Sequence, residues 1–90
     1  DGKGWDGIEY FDPKRGRGVL YAFRGTDPEA KKHTYLLRGL KASGRYLVRF
    51  NDHSAADFSR SGGELMQTGV MVSLALPDSS EIVLIEAERP

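Results

Sequence analysis

A period of two limits this chain more than any other feature. Val19, Tyr21 and Phe23 alternate with Leu20, Ala22 and Arg24. Tyr46, Val48 and Phe50 alternate with Arg45, Leu47 and Arg49, and Val70, Val72, Leu74 and Leu76 with Met71, Ser73 and Ala75. Successive side chains of a strand point to opposite faces, so the first-named set of each run marks a buried face. Residues 82–85 are apolar at every position, the pattern of a strand covered on both sides. Ile8 and Tyr10, with Asp6, share a face of an earlier run. A short run at 34–38 puts Tyr35 and Leu37 on one side and Leu36 on the other. No window sustains the helical period of about 3.6 residues.

Turn chemistry separates these runs. DPKRGRG at 12–18 reads as a hairpin connection, with Pro13 and two glycines. GTDPEAKK at 25–32 is a polar loop in which Asp27-Pro28 starts at most one helical turn. GLKASG at 39–44 and PDSS at 77–80 are turns before later strands. The polar stretch 51–69 is the exception, because long loops in small domains are functional or locally structured. Within it, Ser61 and Glu64 have capping-box spacing. The reading is one helical turn over 63–67, with Leu65 and Met66 tucked inward, Gln67 exposed and Gly69 releasing the chain into the strand from Val70. Short strands with turns at such intervals define an all-β fold, an antiparallel two-sheet β-sandwich, Greek-key-like, of about six to eight strands. Its expected core includes Val48, Phe50, Val72, Leu74 and Leu84.

Length and composition set the outer bounds. Ninety residues make one domain, spanning 1–90. The opening DGKGWDG lacks a Met, a basic n-region and an apolar h-region, and reads as a piece cut from something longer. No apolar run approaches the ~20 residues of a membrane helix, so no membrane partner is expected. Without cysteine, disulfides and thiolate metal sites are excluded. Lys plus Arg and Asp plus Glu both number 13, which argues against nucleic acid as a partner, since phosphate binding favours a basic excess.

Reactive constellations are scarce. Glycoside hydrolysis uses two carboxyl groups about 5–10 Å apart. Asp52 and Asp57 flank the long loop and are the nearest candidates, but their plainer reading is a pair of solvated loop carboxylates. Asp52-His53 with Asp57 falls short of a metal set, and His33 reads as an exposed edge residue, so no metal or cofactor is expected. No serine lies in a GxSxG setting, and neither glycine cluster opens a long helix after a strand. No catalytic residue is assigned. What is left is a surface for a sugar, whose C–H faces an aromatic ring can cover. Tyr21 and Tyr46 fall on the phase assigned to the core. Trp5 reads first as a packed residue whose N–H finds a partner, and second as a sugar platform. Arg45 and Arg49 form a solvated, edge-protecting stripe.

The segment SGGELMQTGVMVSLALPDSSEIVLIE resembles the C-terminal domain of glycoside hydrolase family 36, the α-galactosidases. The matching elements are Ser61-Gly62, Leu65-Met66, Gly69, the alternating strand 70–76, Pro77, Ser80 and the closing apolar strand. GVLYAFRG at 18–25, LLRGL at 36–40 with the strand after it, and the first strand around Trp5 and Tyr10 extend the resemblance over nearly the whole chain. Related sandwiches occur in family 27. The resemblance implies a non-catalytic accessory domain from the C-terminus of a larger glycoside hydrolase. Its expected partner is a catalytic barrel in the same chain, which carries the chemistry. The alternative is a free-standing carbohydrate-binding module with a shallow site formed from Trp5, Tyr10, Asp52, His53 and Asp57. A plain interaction or linker domain is a third reading.

Overall fold

A computed structural model of the chain describes residues 4–26 and 29–88. The expected turn at Asp27-Pro28 lies outside the described residues. Seven strands and one short helix follow in the order β1 (Trp5–Asp12), β2 (Arg17–Arg24), β3 (Lys32–Tyr35), β4 (Arg45–Phe50), β5 (Phe58–Ser61), α1 (Gly62–Gln67), β6 (Val70–Ser73) and β7 (Ser79–Ala87). A five-stranded sheet has the order β1-β2-β7-β4-β5, and β3 pairs with β6 in a second, two-stranded sheet. All pairings are antiparallel. The all-β, two-sheet class read from the alternation is the class found.

The pairing register sorts every side chain of the large sheet onto a face. Phe11, Gly18, Ile85, Val48 and Phe58 form one cross-strand row, and Glu9, Leu20, Val83 and Phe50 form the next. Both rows look inward. There they meet Leu37, Leu40, Leu65, Val70 and Val72, which come from the small sheet, the helix and their connections. The hairpin at 12–16 is closed by Gly16 N–H donating to the Asp12 carbonyl, with Gly16 at φ 67°. Gly7, opposite Ala22, leaves room for the Tyr35 ring, which a Cβ at that position would strike.

Helix α1 forms where the cap spacing placed it, one residue earlier than expected. Ser61 is the N-cap, its hydroxyl accepting the Glu64 N–H at 3.1 Å. Leu65 is buried, Met66 half-buried and Gln67 exposed, as read. Thr68 and Gly69 N–H both donate to the Glu64 carbonyl, and Gly69 lies at φ 82° with its Cα against the Tyr35 carbonyl. A side chain there would suffer both a left-handed backbone and a collision.

Several expectations need correction. In β2 the phase is inverted: Leu20 and Ala22 are buried, while Tyr21 is 53% and Phe23 37% exposed. Over 19–24 both phases are apolar apart from Arg24, and Arg24 is itself buried, donating from Nη1 to the Leu74 carbonyl at 2.6 Å. Exposed Arg17, on the phase of Val19 and Tyr21, marks the outside. Leu84 lies on the outer face beside Val19, half-buried, instead of in the core. Leu74 is half-buried against the core, and Leu76 is exposed because β6 ends at Ser73. Val48, Phe50 and Val72 are core residues as expected. The short run read at 34–38 pairs over Lys32–Tyr35, which puts exposed His33 within a strand, and the polar stretch 51–69 contains β5.

Candidate functional site

The five residues singled out for a sugar contact fall into separate places. Trp5 opens β1 on the inward phase, opposite Arg24. Its indole N–H donates to the Ala30 carbonyl at 2.9 Å. Its ring stacks on His33 with centroids 5.6 Å apart and planes within 13°. His33 in turn meets Tyr35 edge-on at 4.7 Å. The Tyr35 hydroxyl donates to the Asp6 carbonyl at 2.6 Å, and burial pushes its pKa up to about 12. The three rings and two hydrogen bonds tie β1 to β3 across the gap between the sheets. One ring face and the polar atom of Trp5 are thus already engaged, which is the packed role.

Tyr10 lies on the opposite face of β1, 66% exposed, in the row Tyr10, Val19, Leu84 and Arg49. Five residues along a strand separate it from Trp5, about 16 Å at the usual rise. Asp52, His53 and Asp57 are exposed on the loop joining β4 to β5. His53 and Asp57 border a shallow depression of about 360 Å³ with Arg49, Phe50, Asn51 and Leu84. Tyr10 shares the outer face with that depression but stands two strands from Leu84, roughly 10 Å at ordinary strand spacing. The sheet therefore groups His53 with Asp57 and leaves Trp5 on the other side.

Sequence reasoning missed a highly organised buried polar group, the Glu81 carboxylate. Glu81 is 1% exposed on the inward face of β7, next to Ala22. Its Oε1 accepts the N–H groups of Asp52 at 3.0 Å and Ile82 at 2.8 Å. Its Oε2 accepts the Ser54 hydroxyl at 2.6 Å and the Ser54 N–H at 3.2 Å. Burial alone would raise its pKa. The Ser54 hydroxyl and the three backbone donors outweigh burial and hold the pKa below the usual value of 4.5. Between those donors, His53 turns with φ 58° and donates its N–H to the Phe50 carbonyl. The loop holding Asp52 and His53 is thus folded around a buried anion. With all four donors directed at it, this carboxylate acts as a structural anchor. The available signal was its phase, since Glu81 alternates with Val83 and Ile85, next to the apolar run 82–85.

Glu9 is a further carboxylate on the inward phase, only half-buried, accepting the Arg38 N–H at 2.9 Å through one oxygen and at 3.2 Å through the other. Burial raises its pKa, partly opposed by that N–H and by the Arg38 charge. Among the described residues no group of three or more His, Asp or Glu could hold a metal ion. No helix among them is long and apolar enough to cross a membrane.

The fold and its polar anchor define a small two-sheet β domain. No family model and no curated protein matches the sequence. Among solved structures, the α-galactosidase from Lactobacillus brevis contains a similar fold, with a TM-score of 0.72 and 17% identity. The match takes in 97% of this chain and 12% of that protein's length. At this identity the likeness is one of fold.

Proposed function

We propose that this chain is a non-catalytic accessory domain of an α-galactosidase-like glycoside hydrolase, packed beside a catalytic barrel that carries the reaction. One observation carries the reading: nearly the whole chain matches a small part of an α-galactosidase, so in that protein the fold is one portion of a much longer chain. The inventory of groups agrees. The buried carboxylate is saturated by internal donors, and Asp52 and Asp57 are exposed on a loop. Acid–base catalysis needs titratable groups converging in a cleft, where their pKa values are tuned. The raised pKa of Glu9 belongs to a carboxylate fixed to the Arg38 backbone N–H, a structural arrangement.

The test is to assay the chain alone and within its complete reading frame. The chain alone should not turn over aryl α-galactosides. Deleting it from the longer protein should lower the temperature at which α-galactosidase activity is lost. Hydrolysis by the chain alone, abolished by Asp52→Ala or Asp57→Ala, overturns the accessory role. Millimolar or tighter sugar binding by the chain alone, lost in Trp5→Ala, would make it a carbohydrate-binding module.

A further inference from the structure

The outer face of the five-stranded sheet is apolar where an exposed sheet face would be expected to be polar. Ile8 pairs with Tyr21, and Tyr21 with Ile82, while Tyr10 shares the adjacent row with Leu84. Phe23 extends the patch, and a shallow depression of about 180 Å³ lies between Ile8, Tyr21 and Phe23. An antiparallel sheet with one wet face normally alternates apolar with polar residues. Here the central strand β7 is apolar at both phases from Ile82 to Ile85, the pattern of a strand covered on both sides, yet only its inward residues are fully buried, while Ile82 and Leu84 are half-buried.

Among the described residues no element covers this face. The undescribed residues are Asp1, Gly2, Lys3, Asp27, Pro28, Arg89 and Pro90, which bring no large apolar side chain apart from the proline rings. A second copy fits poorly on area. Exposures of 71% for Ile8, 66% for Tyr10, 53% for Tyr21 and 37% for Phe23 leave about 450 Å² of surface on these four, at about 200 Å² per large side chain. Two such faces together would bury about 900 Å², below the roughly 1,200–2,000 Å² of a stable complex between free partners. The same area lies within the roughly 600–1,500 Å² typical of contacts between domains of one chain. A covalent link supplies the effective concentration that a patch of this size needs.

We propose that this face is the docking surface for a neighbouring domain of the same longer chain, which lays an apolar surface across Ile8, Tyr10, Tyr21 and Phe23. That a neighbour lies in the same chain, and that it is a catalytic barrel, rests on the accessory-domain reading above; the apolar face rests on the exposures alone.

Hydroxyl-radical footprinting of the 90-residue chain and of the complete protein encoded by its reading frame tests this. In the complete protein, modification of Ile8, Tyr10 and Tyr21 should fall about tenfold, while exposed Met71 and Leu76 stay equally modified in both. Sedimentation should find the isolated chain monomeric at 100 µM (about two orders of magnitude above a micromolar dissociation constant). Equal modification of Ile8, Tyr10 and Tyr21 in both samples overturns the proposal and leaves the accessory role standing if a hydrolase domain is present. Protection by a neighbour that is not a hydrolase supports the docking face and defeats the accessory role. A dimer of the isolated chain that protects the same three residues assigns the face to a second copy and overturns the proposal.

Discussion

The two faces of the five-stranded sheet are built from similar residues and put to different uses. Inward, Leu20, Val48, Phe50, Val83 and Ile85 are almost fully buried against the helix and the small sheet. Outward, Ile8, Tyr10 and Tyr21 each keep more than half of their surface exposed. The inner face also holds polar exceptions, buried Glu81 and Arg24 and half-buried Glu9, each hydrogen-bonded. Hydrophobicity of the side chains therefore does not distinguish inside from outside in this domain. The distinction comes from what the connections bring over each face. The β3–β6 sheet and α1 both fall on the same side, and only that side gains the close packing that stabilises the fold.

The sharpest way to break the comparison is to remove one large inner side chain. Phe50 is 2% exposed and sits 6.2 Å from the Phe58 ring. Phe50→Ala should cost about 3–5 kcal/mol by chemical denaturation, the range for emptying a packed aromatic site. A loss under about 1 kcal/mol would mean that the inner face packs no more tightly than the outer one.

Next in size is the buried carboxylate. Glu81→Gln keeps the shape but turns one acceptor oxygen into a donor that faces N–H or O–H groups. A loss of about 2–3 kcal/mol at pH 7 is expected, since hydrogen bonds to a buried charge are the strong ones. The pH dependence has a definite sign. The folded-state pKa lies below the ordinary 4.5, so the native state binds this proton less readily than the unfolded chain does. The contribution is complete above the ordinary value and is lost as pH falls through the folded-state one. Wild-type stability should therefore drop on the acid side, and Glu81→Gln should flatten that drop. An unchanged acid limb in the variant would show that Glu81 is not held as an anion.

How far the sequence could be read follows from this asymmetry. β4 was readable because Arg45 and Arg49 mark its wet phase unambiguously, leaving Tyr46, Val48 and Phe50 inside. The helix was readable because Ser61 and Glu64 carry a local, short-range signal. Arg17, exposed on the phase of Val19 and Tyr21, marked the outside of β2 but fell beyond the run that was read. β2 was misread because over 19–24 both phases are apolar and the charged residue there, Arg24, is buried by a carbonyl fifty positions away. Glu81 was overlooked for the same reason, since its donors at Asp52 and Ser54 come from another part of the chain. Among the proposed contact residues, half-buried Trp5 has a partner for its N–H in the Ala30 carbonyl, the need on which its packed reading rested. Tyr10's exposure depends on the absence of a layer over the outer face, which cannot be read from its own strand.

A smaller effect tests the link between helix and sheet. The Ser61 hydroxyl caps α1 through the Glu64 N–H, and α1 seats Leu65 under the inner face. Ser61→Ala should cost about 1 kcal/mol, within the usual 0.5–2 for a lost N-cap. Ser61→Asp should restore most of it. If both variants lose the same stability, the serine matters for strand β5 and not as a cap.

The smallest expected effect is the most discriminating for the outer face. Tyr10 is two-thirds exposed and its cross-strand neighbour is Val19. In the isolated chain, Tyr10→Ser removes one cross-strand contact, worth about 0.2–1 kcal/mol, and opens no enclosed cavity. Denaturation of the variant should therefore fall within about 1 kcal/mol of the wild type, against the several expected at Phe50 on the other face. The same change in the complete protein, where a neighbouring domain would cover Tyr10, should cost more, because the side chain would then be removed from a closed contact. Equal small losses in both settings would leave the outer face solvated even with its neighbours present. A large loss in the isolated chain, growing with protein concentration, would mean that copies of the domain cover one another through this face.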